Sequence, residues 1–71
     1  MVVVYPNLYQ KMLDHGVSNL ELAELLRVDI EVILDKMRGV TPWYLHEAVH
    51  ICMYFDTSDV ENLFVRLDSN T

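Results

Sequence analysis

Residues 45–51, "LHEAVHI", contain the pattern H-E-x-x-H. On a helix His46 and His50 stand one turn apart on a single face, where two imidazoles can bind zinc while the glutamate between them, Glu47, activates a metal-bound water. Asp56, six residues after His50, occupies the place where some zinc proteases carry a third ligand. That ligand reaches the metal only if the chain turns, which a glycine after the second histidine permits. Here the position is Met53, and apolar spacing continues to Phe55, so one uninterrupted helix carries Asp56 away from the pair. Ala48 and Ile51 turn the opposite side of this helix inward, and 71 residues leave no room for strands that align a peptide. The pair is therefore expected to be exposed and to hold no catalytic zinc. No catalytic residue, metal or cofactor is assigned, and the chain is not expected to be an enzyme. Cys52 has no basic neighbour in sequence to lower its pKa, so it is read as a buried, inert thiol.

The elements that carry these residues are punctuated regularly. In "YPNLYQKMLDHG" Pro6 suits a helix start, Leu8, Met12 and Leu13 recur at helical spacing, and Gly16 is a stop, with His15 favoured as a cation in the last turn. In "VSNLELAELLRV" Ser18 and Glu21 form a capping box, with Val17 and Leu22 at staple positions, and Leu22, Ala23, Leu25 and Leu26 are expected to supply a buried stripe. Asp29 is placed to cap a third helix that Gly39 ends in a left-handed conformation. Pro42 suits the first turn of a fourth helix with Leu45, Ala48, Ile51, Cys52 and Phe55 at helical intervals. Ser58 and Glu61 suggest a capping box for a short fifth around Leu63 and Phe64. Trp43 and Tyr44 are read as a lid over the core.

Composition narrows the class. At 71 residues the chain is expected to be one domain, with residues 1–5 as an N-terminal arm and 68–71 as a tail, close to the lower size limit for a core without disulfides or metal. A hydrophobic share of 52% is too high for a disordered segment, yet no apolar run is long enough to span a bilayer. The opening "MVVVYP" lacks the basic start and cleavage site of a signal peptide, and the lone Cys52 cannot form an internal disulfide, so a cytoplasmic location is expected. The apolar Val2 to Tyr5 is read two ways, as a disordered start or as a short strand pairing with the same strand of a second copy in a homodimer.

With these elements in order, the chain resembles the Cro and phage-repressor type of helix-turn-helix domain, often called XRE-like. The resemblance rests on "SNLELAELLRVD" for the second helix and turn, "VILDKMRG" for the end of the third, "LHEAVHI" for the fourth and "DVENLF" for the last, and runs from Tyr5 to Phe64. It implies an all-α, compact five-helix fold like that of the lambda repressor DNA-binding domain, and a small phage- or prophage-type transcriptional regulator that binds duplex DNA. In that family the residue opening the second helix binds a phosphate, which corresponds to Asn19. The base-reading positions fall on Ile30, Glu31 and Asp35, with Val32 and Leu34 beside them, and Ala23 lies against the third helix.

A wheel with a 100° step places Ile33 and Met37 inward and Glu31, Asp35 and Arg38 outward. Arg or Lys reads guanine and Asn or Gln reads adenine, and none of these stands at the three base-reading positions. A carboxylate can accept from the cytosine amino group, but two within a turn meet the phosphate field in a chain of net charge −6. Arg27, Lys36 and Arg38 are the nearby cations expected to face phosphates. The alternative is a protein-interaction module, such as an antirepressor, whose apolar and acidic surface of Ile30, Val32, Leu34, Glu31 and Asp35 fits a basic protein such as a repressor. No membrane contact is expected.

Overall fold

A computed structural model describes residues 3–67, and the expected tail at 68–71, like Met1 and Val2 of the arm, lies outside the described residues. Five helices follow one another: α1 Pro6–His15, α2 Asn19–Leu26, α3 Ile30–Met37, α4 Leu45–Tyr54 and α5 Val60–Leu63, with no strand among the described residues. The all-α, five-helix expectation is met.

Local chemistry explains the boundaries. Pro6 opens α1, and Gly16 closes it at φ 65° while Val17 N–H donates to the Met12 carbonyl at 2.8 Å. The capping box of α2 is formed in both directions: Glu21 N–H donates to Ser18 Oγ at 3.2 Å, and Ser18 N–H donates to Glu21 Oε1 at 3.2 Å. Arg27 ends α2 in the left-handed region (φ 59°, ψ 46°), which aims Val28 back at the Ala23 carbonyl, 3.0 Å away, and swings the chain into α3. Gly39 stops α3 with φ 78°, a left-handed conformation that calls for glycine.

The α3 start falls where expected, while those of α4 and α5 are corrected. Asp29 is the N-cap of α3, but its carboxylate accepts no capping bond; its backbone carbonyl takes the Val32 amide instead, and the exposed first turn leaves the other amides to solvent. Pro42 is not in α4, because Glu47 Oε1 accepts the Tyr44 N–H at 2.9 Å and so sets the first residue at Leu45. The cap of α5 is Asp59, which accepts from Asn62 N–H at 3.1 Å, one residue later than the Ser58 and Glu61 pair.

The core gathers Tyr5, Leu8, Met12, Leu22, Ala23, Ile33, Ile51, Cys52, Phe55 and Leu63, with Val28, Met37, Trp43 and Phe64 packed partly buried around it. Ile33 is fully buried and Met37 half-buried, so the register proposed for α3 holds. Leu13 and Leu45, read as stripe residues, are instead exposed, since each lies at the edge of the arc its helix turns inward. Tyr5, assigned to the arm, is buried edge-on to Phe64, and the Val4 carbonyl accepts the Leu67 N–H at 2.7 Å. That end of the arm therefore folds against its own chain. Asn7 Nδ2 donating to the Asn62 carbonyl at 2.7 Å ties α1 to α5.

Arg27 carries the steric cost of left-handed backbone for a residue with a Cβ, about 1 kcal/mol. Arg27→Gly should remove that cost, less the extra entropy glycine has in the unfolded chain, and raise the melting temperature by about 4 °C or less. A lower melting temperature in this variant would show that the Arg27 side chain contributes more than its backbone costs.

Candidate interaction face of the helix-turn-helix

Arg27, Val28 and Asp29 join α2 to α3, which pack against each other with Ala23 buried. This geometry directs α3 outward along one side. Ile30 and Val32 are exposed, as is Glu31, while Leu34 and Asp35 are half-buried. Asn19, in the first turn of α2, is also half-buried. Arg38 is exposed, but its guanidinium is 2.7 Å from Asp35 Oδ1, so one of the outward cations is already paired with one of the outward acids.

Lys36 departs from the expectation. It was placed among the cations facing phosphates, yet only 3% of it is exposed. Its ammonium lies 2.9 Å from Glu47 Oε1 and donates to the Pro42 carbonyl at 2.8 Å. The Tyr44 ring, 4.4 Å from Nζ to centroid, and the Trp43 ring at 5.7 Å complete the enclosure. The physical reason is position. On the wheel Lys36 falls about 60° from Ile33, at the margin of the buried arc, and its long stem carries the charge across to α4. An ammonium taken from water needs a compensating partner, and Glu47 provides it.

The same pair explains the H-E-x-x-H pattern. Glu47 is buried on the inward side of α4, whereas His46 and His50 are exposed, His46 stacked on Tyr44 with ring centroids 6.0 Å apart. A carboxylate held by Lys36 and the Tyr44 amide does not share a face with the two imidazoles. Among the described residues no group of three or more His, Cys, Asp or Glu side chains gathers in a way that could hold a metal ion. Cys52 is buried; that burial pushes its thiol pKa up, and the charge of Asp59 adds to the effect, which opposes the thiolate needed for nucleophilic chemistry.

An open groove of about 640 Å³ runs between α1 and the end of α3, its lining including Tyr9, Met12, Leu13, Asn19, Leu34 and Met37. Exposed Leu13 was its signal, hidden because helical spacing alone cannot distinguish a core position from a groove wall. Lys36 and Glu47 also left a trace, as opposite charges at the inward margins of successive helices.

The fold is similar to that of a transcriptional regulator from Listeria innocua known from its crystal structure, with a TM-score of 0.74 and 28% identity over 94% of this chain. The chain spans 64% of the length of that one. No family model matches the chain, and no curated protein matches it either. No helix among the described residues is long and apolar enough to cross a membrane.

Breaking one side of the buried pair should be costly. Lys36→Met leaves the Glu47 carboxylate without its ammonium, and Glu47→Gln strands the ammonium; each should cost about 3–5 kcal/mol in urea unfolding. The double replacement Lys36→Met with Glu47→Leu should recover most of that loss, because no charge is left buried. Single variants within about 1 kcal/mol of the parent would mean that the pair behaves as a surface ion pair.

Proposed function

We propose that this chain is a small transcriptional regulator of the Cro and phage-repressor, XRE-like type, and that its α3 face engages a basic protein surface, such as that of a DNA-binding repressor, in preference to duplex DNA. The regulator class is supported by the α2–turn–α3 arrangement and by the likeness to the Listeria regulator. The preference for a protein rests chiefly on the burial of Lys36.

Once Lys36 is withdrawn, the outward side of α3 offers Glu31, Asp35 and Arg38, with Asp29 at the cap. Arg38 is neutralised locally by Asp35, and of the three cations only Arg27, exposed in the turn, is then set against Glu31 and Asp29. Affinity for duplex DNA comes largely from counterions released as phosphates are neutralised, so a face with more acids than available cations gains little. A protein with a basic surface gains both ways: its cations meet the carboxylates, and its apolar atoms cover Ile30, Val32 and Leu34. In this reading Asn19, Ile30, Glu31, Val32, Leu34, Asp35 and Arg38 form the contact surface, and Lys36 positions α3 from behind.

Direct reading of DNA is the second hypothesis, favoured by the placement of Glu31 on an exposed helix of helix-turn-helix geometry, where it can accept from cytosine. Titration at two salt concentrations separates the two. The unmodified chain should bind generic duplex weakly, with a shallow salt dependence. Replacing Glu31 and Asp35 together by Gln removes repulsion and frees Arg38, so binding should strengthen and the salt slope steepen by about 0.9 for the phosphate Arg38 gains. The same double variant should lose binding to purified basic repressor domains used as probes. Tight binding of one duplex at physiological salt, abolished by the double replacement, would make the carboxylates base readers and overturn the proposal.

A further inference from the structure

The outer face of α4 takes no part in the α3 surface, and it differs from the other helices in having no charge. Leu45, Val49 and Met53 are 74%, 39% and 73% exposed and recur every fourth residue. At 100° and about 1.5 Å per residue they form one ridge within about 80° of arc and about 12 Å long. His46 and His50 lie along one side of it, both exposed, while Glu47, the one carboxylate in α4, is turned into the core against Lys36. By contrast, the exposed residues of α1 include Asp14, those of α2 include Glu21 and Glu24, and those of α3 include Glu31.

We propose that this ridge is a self-docking surface, on which two copies of the chain pack α4 against α4 in antiparallel sense about a two-fold axis at Val49. Charge selects the occupant. Each copy carries −6, so two copies can meet at low cost only on a face without carboxylates, and α4 offers one. A basic partner would find no carboxylate there to pair with. The register suits a two-fold contact, in which the same patch must complement itself. With Val49 on the axis, Leu45 faces Met53 of the second copy and Val49 faces its own counterpart. The smallest side chain of the ridge therefore sits where the helices come closest, and the two longer ones fill the diverging ends. A ridge of residues four apart is the row used in the commonest helix-packing class.

The area sets the strength. A stable interface takes about 800 Å² from each partner, about one-sixth of the 4950 Å² this chain exposes. A ten-residue helix supplies the centre of such a patch, and the half-exposed Tyr44 and Tyr54 extend it at each end. The dimer is accordingly concentration-dependent, and it forms whichever ligand α3 takes.

Sedimentation of the full chain over a range of concentrations tests this. The unmodified chain should show a monomer–dimer equilibrium. Val49→Glu and Val49→Lys each place two like charges across the axis and should weaken self-association about tenfold or more, about 1.4 kcal/mol. An equal mixture of the two variants should associate again, because Glu then meets Lys. Circular dichroism checks that both variants fold, and Leu45→Gln, at an exposed position, is a second variant that should also weaken association. A monomeric parent chain, unaltered dimerisation of the Val49 variants, or a mixture that fails to associate would each overturn the proposal.

Discussion

The ion pair between Lys36 and Glu47 is the constraint on which the arrangement of α3 and α4 depends. It lies at the junction of the two helices, 2.9 Å long and almost wholly removed from solvent. Three features of the neighbourhood follow from satisfying these two groups. Glu47 takes the Tyr44 amide and so fixes where α4 begins; the Pro42 carbonyl turns to the ammonium; Trp43 and Tyr44 close over it. The segment after Gly39 is thereby held in place without regular structure. Buried ion pairs contribute little net stability compared with apolar residues of equal volume, but they penalise arrangements in which the partners separate. The pair thus acts more on the uniqueness of this junction than on its depth in free energy.

The same constraint shapes the surface. A lysine in the last turn of α3 would, if outward, balance Asp35 and Glu31 and leave Arg38 available to a phosphate. Drawn inward, it leaves Arg38 to Asp35 and Glu31 unopposed. The α2–turn–α3 arrangement is present, while the outward side of α3 and its cap carry more carboxylates than cations. On the reading proposed above, a single side chain separates this fold from use on a polyanion, since function resides in sites carried by a scaffold.

Much of the fold was legible because its signals are local. Ser18 and Glu21, Pro6, Gly16 and Gly39 act through bonds or dihedrals within a few residues of themselves, and each does what its type and spacing indicate. The register of α3 was equally legible, since Ile33 buried with Glu31 exposed is what a helical wheel demands. What the wheel could not decide were positions at its margins. Lys36 needed knowledge of Glu47 on the next helix, and Leu13 of the distance between α1 and α3. The start of α4 depended on a carboxylate already engaged elsewhere, so Pro42 misled. Glu47 itself was legible only as part of a zinc motif, because its real partner lies eleven positions earlier in the chain.

The central claim is that Lys36 is withheld from the α3 surface, and the reactivity of its amine tests this most directly. The chain has two lysines, Lys11 and Lys36. Under native conditions an amine-acylating reagent followed by mass analysis should modify Lys11 readily and Lys36 only as fast as the domain unfolds, with the two rates converging in denaturant. Equal native rates for the two lysines would place Lys36 in solvent, restore a cation to the outer face of α3, and contradict the account.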